Sequence, residues 1–304
     1  MTGARQIRMG VPLADLALRH PPDAQARALL RRTGMLRIRA YTEGRPAFRI
    51  ALIDGPIWSG HDSLKDANIK VVAAAERLDS GAPAVVHATF IASMLVGRGE
   101  GVVGLCPGCT LLSVPVVGDE MLGGSIPAPS VAQQLAEAVM LAVAQDANVI
   151  QISLDFPAAT RGCFHVLLGA LEKAAAAGVI IVMPAGNLAT LEYNSLLAPS
   201  AVIPVAASDW NGLPIRQGSL GPTVARKGFL APGTEIPGAL SPKGFTTLSG
   251  SSYAAAFLTG AIALLDSLEL PRGARQAGGS LLGGPARMSG TVPQHLDAEA
   301  SFTT

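Results

Sequence analysis

The chain has 304 residues, 49% apolar and only 15% charged, which excludes a disordered chain and permits a large core in one α/β domain or two smaller ones. A net charge of +1 gives no electrostatic footprint for nucleic acid or an anionic membrane surface. No apolar run reaches the ~18 to 20 residues of a membrane helix, the most apolar stretch (178–184) being strand-sized.

The first 20 residues lack the continuous apolar segment of a secretory signal, so a chain that starts natively at Met1 is expected in the cytoplasm. Apolar residues at Leu13, Leu16, Leu18, Ala26, Leu29 and Leu30 predict a helix over 12–33, interrupted at Pro21-Pro22. Arginines gather between Arg5 and Arg45, as on a solvated helix face and strand edge; for the segment as a whole a docking arm, a prodomain relic or simple packing stays open. From Phe48 the pattern changes to short β-rich runs at 49–53, 69–73, 111–117, 149–153, 179–183 and 202–206. Ala-rich, helix-length segments such as 130–144 and 166–177 lie between them.

This alternation predicts an α/β fold: a three-layer, doubly wound, mostly parallel sheet with helices on both faces. The strands are continuously apolar, as burial on both faces requires. Cys106-Pro107-Gly108-Cys109 lacks a second Cys pair or nearby histidines, so a structural turn is favoured over a metal or redox pair; a disulfide stays open. After Leu270 the chain is rich in Gly, Ser, Ala and Arg, and residues 292–298 read as a short final element. The domain reading is an N-terminal extension at 1–47, one domain at 48–300 and a tail at 301–304.

Four polar sites interrupt apolar elements at their ends. Asp54 follows the first strand, where ligands bind in open α/β sheets, and a carboxylate there can hold an imidazole in one tautomer. Taken alone, it reads more readily as a turn Asp before Gly55-Pro56. His87 opens the apolar stretch 87–96, in the first turn of a predicted helix; histidine is the usual general base near neutral pH, and also a common structural residue. Ser252 follows Gly250-Ser251 at the start of a very apolar helix, where the dipole and unpaired N–H groups favour anions, or where a serine simply caps. Asn187, after Val182-Met183-Pro184-Ala185-Gly186, brings an amide donor to a strand end, or a turn.

Together these segments resemble the subtilisin family of serine peptidases, whose chain order is Asp, His, Ser. Ala51-Leu52-Ile53-Asp54-Gly55, His87-Ala88-Thr89, Pro184-Ala185-Gly186-Asn187 and Gly250-Ser251-Ser252-Tyr253-Ala254-Ala255-Ala256 match its motifs in order, and the likeness spans about residues 48 to 300. The resemblance implies a serine endopeptidase with Ser252 as nucleophile, His87 as base, Asp54 as its orienting carboxylate and Asn187 in the oxyanion hole. It also implies a substrate strand along Ser153-Leu154-Asp155, with Ala185-Gly186 opposite; Asp155 would favour a basic substrate residue.

Ala88, Ser251 and Ala256 depart from the family's usual glycine, threonine and proline. Ala88 motivates the alternative of a catalytically silent, peptide-binding or partner subunit. The loop at 97–101 lacks the Asn-rich calcium-binding insertion of secreted relatives, and no Asp-x-Asp-x-Asp-Gly loop is present, so no metal and no cofactor are expected. With only 47 residues ahead of the domain, the chain is similar to the cyanobactin maturation group, which trims precursor peptides; a peptide substrate and no nucleic-acid or membrane partner are expected. A nucleotide-binding domain is set aside, because Asp54-Gly55-Pro56-Ile57-Trp58 forms no glycine-rich phosphate loop.

Overall fold

The computed structural model describes residues 23–74, 78–116, 118, 128–154, 164–268 and 294–295. Its strands are β1 (Arg49–Asp54), β2 (Ile69–Val71), β3 (Thr110–Pro115), β4 (Val149–Ile152), β5 (Ile180–Pro184), β6 (Val202–Ser208), β7 (Phe229–Pro232), β8 (Ile236–Ala239), β9 (Phe245–Leu248) and β10 (Gln294–His295). Eight of them form one sheet in the order β10-β7-β6-β5-β4-β1-β3-β2, every neighbouring pair parallel, while β8 and β9 form a separate antiparallel hairpin. The predicted doubly wound α/β architecture is therefore present. The order reverses around β1, with β3 and β2 to one side and β4 onward to the other, which makes the carboxyl end of β1 the switch point where such sheets bind ligands.

The helices are α1 (Asp23–Arg32), α2 (Met35–Arg39), α3 (Pro83–Val96), α4 (Ala128–Ala144), α5 (His165–Ala176), α6 (Pro222–Lys227) and α7 (Ser251–Asp266). Alternate strand residues serve opposite cores, as the two-residue period of a strand dictates. Ile50 and Leu52 of β1, Val149 of β4 and Val182 of β5 join one core with α3 and α7. Ala51, Ile53, Ile150 and Ile181 join the other, with α4 and α5. Apolar residues on both faces explain why the strands read as continuous hydrophobic runs.

Two boundaries differ from expectation. α3 begins at Pro83, four residues before His87, because proline has no N–H to lose at the first helical position and its φ is already helical. His87 therefore lies in the second turn, not the first. The described part of the N-terminal helix is α1, ended by Gly34 at φ 71°, after which α2 sets off anew; residues 12–22 lie outside the described residues. Leu29, Leu30, Met35 and Ile38 of α1 and α2 are buried in the same core as α3 and α7. The expected turn at Cys106 closes with Cys109 N–H donating to the Cys106 carbonyl at 3.0 Å, and both thiols are free and buried.

Candidate active site

Asp54 is the last residue of β1, and the strand period that sends Ile50 and Leu52 to the α3/α7 side sends its carboxylate there too. Gly55 lets the strand end touch α3: a Cβ at this position would lie 2.4 Å from the Ala84 carbonyl oxygen. One turn further along α3, His87 Nδ1 lies 3.0 and 2.9 Å from Asp54 Oδ1 and Oδ2. Asp54 is fully buried and its Oδ1 also accepts from the Gly55 N–H at 2.7 Å. A buried carboxylate has to be paired, and these partners supply the pairing. With Nδ1 donating to the carboxylate, Nε2 is the nitrogen left to accept a proton. Thr89 anchors the loop after β1 to α3 by accepting from the Trp58 N–H at 2.9 Å.

The second half of the site forms where α7 begins. Gly250 precedes the helix at φ 153°, a conformation that side chains resist, and its N–H donates to the Gly233 carbonyl at 2.8 Å. The N-cap position of α7 is Gly250, so neither Ser251 nor Ser252 is an ordinary capping serine. Instead Asn187, just beyond β5, accepts from the Ser251 N–H at 2.9 Å through Oδ1. That bond fixes which end of the amide is acceptor and which is donor. The Ser251 hydroxyl accepts from the Gly186 N–H at 3.3 Å and ties the two segments together again.

Ser252, the second residue of α7, is half-buried. The structure thus brings Asp54 to His87, and Asn187 to the turn that carries Ser252; among the described residues no hydrogen bond joins Ser252 to His87. The two halves meet through Tyr253, whose ring centroid lies 5.7 Å from that of His87. Tyr253 was not singled out from the sequence, although an aromatic ring breaking the run Ser251-Ser252-Ala254-Ala255 is the signal for it.

Ser153 and Leu154 follow β4 directly, between the ends of β1 and β5, and their side chains are buried. A ligand there meets their backbone rather than their side chains. The Ser153 hydroxyl accepts from Gln151 Nε2 at 2.7 Å. Ala185 and Gly186 extend β5 opposite, both buried, with Gly186 at φ 106°. Asp155 lies outside the described residues. Among the described residues no three His, Cys, Asp or Glu side chains stand close enough to hold a metal ion, and no helix is long and apolar enough to cross a membrane.

The pattern of the subtilase family matches residues 47–278. The chain is 28% identical over 183 residues to the thermostable alkaline protease of Halalkalibacterium halodurans, a match covering 60% of this chain and 47% of that protein, so it spans about half that relative's length. Among solved structures it is similar to a serine-to-alanine mutant of the protease domain of PatA (TM-score 0.74, 29% identity, 87% of this chain and 96% of that one). It is also similar to the prenylagaramide maturation protease PagA (TM-score 0.66, 27% identity, 79% and 82%).

Proposed function

Because the chain belongs to the subtilase family, we propose that it is a serine endopeptidase that hydrolyses peptide bonds through Ser252, His87 and Asp54, and that its substrate is a precursor peptide. In this reading the Ser252 hydroxyl attacks the scissile carbonyl while His87 Nε2 takes its proton and later returns it to the leaving amine. Asp54 keeps the imidazole in the Nδ1–H tautomer and stabilises the imidazolium. The tetrahedral oxyanion is met by the Asn187 side-chain amide and the Ser252 N–H. Water then releases the acyl group from Ser252 by the same steps in reverse.

The observation that carries the reading is the buried Asp54–His87 pair at the sheet's switch point, in ring contact with Tyr253, the residue after Ser252. Among the described residues no buried basic side chain other than His87 pairs with Asp54, which suits a base and its orienting carboxylate better than a core packing pair. The precursor-peptide substrate rests on the likeness to PagA and to the PatA protease domain. Ribosomally made precursors arise in the cytoplasm, and that is the compartment proposed.

A fluorophosphonate probe tests the chemistry. The wild-type chain is expected to be labelled on Ser252, with Ser252→Ala unlabelled and inactive. A folded wild type that resists the probe overturns the peptidase reading in favour of a silent peptide-binding fold. Short peptides encoded by neighbouring open reading frames, offered to the labelled-competent enzyme, test the substrate class by mass-detected cleavage.

A further inference from the structure

The Asp54 carboxylate grips one edge of the His87 imidazole, but a bond to a single nitrogen leaves the ring free to rock about that contact. A second contact with the ring comes from the residue after Ser252. The Tyr253 ring lies 5.7 Å from the imidazole, tilted by 48°, and 4.9 Å from the Phe90 ring at 64°, an edge-to-face arrangement. His87 and Phe90 are three residues apart on α3 and so share one face of it. Tyr253 therefore packs from α7 against two rings of α3, and aromatic pairs of this geometry contribute beyond simple burial.

We propose that Tyr253 is a positioning residue for His87: its ring, braced by Phe90, holds the imidazole in the Asp54-bonded orientation with Nε2 toward Ser252. The inference rests on the peptidase reading above. It assigns the work to the ring face and not to the hydroxyl. Tyr253 is 4% exposed, and its phenol is held well above its usual value by burial, and next by the charge of Asp54, so it stays protonated and hands no proton on. Since Tyr253 and Ser252 are consecutive, the same helix turn that presents the nucleophile also aligns its base. Any shift of α7 against α3 would displace Ser252 and Tyr253 together relative to His87.

The test compares three variants of the full chain. Tyr253→Leu keeps apolar volume but removes the flat ring, and kcat is expected to fall roughly 10- to 100-fold with KM nearly unchanged, the size of effect that small misplacement of reacting groups produces. Tyr253→Phe, which keeps the ring, is expected to restore kcat to within about threefold. Tyr253→Ala is expected to resemble Tyr253→Leu if it folds, and the Leu variant decides if it does not. Proton NMR supplies a readout that mere packing would not move: the shared Nδ1 proton of His87 should be sharp in wild type and Tyr253→Phe and broadened in Tyr253→Leu. Wild-type labelling by the fluorophosphonate with kcat and the Nδ1 signal unaltered in Tyr253→Leu overturns this inference while leaving the peptidase reading intact. An unlabelled wild type fails the peptidase reading first.

Discussion

Gly55 and Ala84 are in backbone contact: a Cβ on Gly55 would come within 2.4 Å of the Ala84 carbonyl oxygen and 2.6 Å of its carbon. Neither atom is the end of a flexible side chain, so the clash can be relieved only by moving β1 away from α3. That movement would pull Asp54 from His87. Gly55→Ala is therefore expected to lower kcat/KM by at least an order of magnitude and stability by about 1–3 kcal/mol, the usual cost of overpacking a tight core contact. Denaturant melts and peptide turnover on the same variant check both halves; near-normal values would mean that the strand end tolerates the shift.

Neutralising the carboxylate is the cleaner probe of the pair itself. Asp54→Asn keeps the shape but can no longer hold the Nδ1–H tautomer or balance an imidazolium. A kcat loss of roughly 10⁴-fold is expected, a size taken from other serine proteases with this constellation, at little cost in KM. Steady-state kinetics on a chromogenic peptide measure it. A loss of only a few fold would show that His87 is oriented by other contacts.

Asn187 has one observed task and one proposed task, and they are separable. Its Oδ1 accepts from the Ser251 N–H, and its amide N–H groups are the proposed oxyanion donors. Asn187→Asp keeps an acceptor for Ser251 but removes the donor and adds a negative charge where the oxyanion forms. Asn187→Ala removes both. Losses of about 10²–10³-fold in kcat are expected for the alanine variant, with a larger loss for aspartate and a melting temperature closer to wild type. Were aspartate the more active of the two, Asn187 would matter for the helix start and not for the oxyanion.

How much of this could be read without coordinates depended on which residues carried a local signal. The parallel sheet was legible because strands buried on both faces must be apolar throughout, as in Ala51-Leu52-Ile53 and Val149-Ile150. Asp54, His87, Asn187 and Ser252 stood out as candidates because each is a polar residue at the end of an apolar element, in a familiar order, and the structure places Asp54 against His87 and Asn187 against Ser251. The start of α3 lies four residues ahead of the apolar stretch that begins at His87, and the cue for it is Pro83 at the first helical position. The packing of Tyr253 on His87 joins residues far apart in sequence and leaves no local periodicity to find. The same holds for Gly55 on Ala84, where only the approach of two backbones requires glycine.

Tyr253 also makes stability depend on pH, with a definite sign. Its folded phenol is raised, first by burial and then by the charge of Asp54. The stabilising contribution is fully present below the phenol's unfolded value, near 10. As pH rises above that, the unfolded chain releases a proton that the folded chain retains, and stability falls by up to about 1.4 kcal/mol per pH unit. Tyr253→Phe lacks the ionisable group and should lose stability less steeply between about pH 9.5 and 11. Urea titrations of both proteins across that window make the comparison; parallel slopes would dismiss the coupling.

The last prediction concerns the segment ahead of the matched region. Residues 23–39 precede the part of the chain that fits the family, yet Leu29, Met35 and Ile38 are almost wholly buried against the α3/α7 side of the sheet. Further ties hold α1 in place: Gln25 donates to the Glu235 carbonyl, and the Arg32 guanidinium lies 5.7 Å from the Trp210 ring centre while donating to the Trp210 carbonyl. A docking arm would shed such residues at little cost, whereas a core element would not. Leu29→Ala is therefore expected to destabilise the whole domain by about 2–5 kcal/mol, through lost burial plus the cavity left behind. Arg32→Ala should cost less, about 1 kcal/mol, because its cation–π contact is at the surface. Because α3 and α7 carry His87 and Ser252, a single cooperative melt shifted downward in Leu29→Ala would mark α1 as part of the scaffold that holds the site. An unshifted melt would return these residues to the role of a detachable arm.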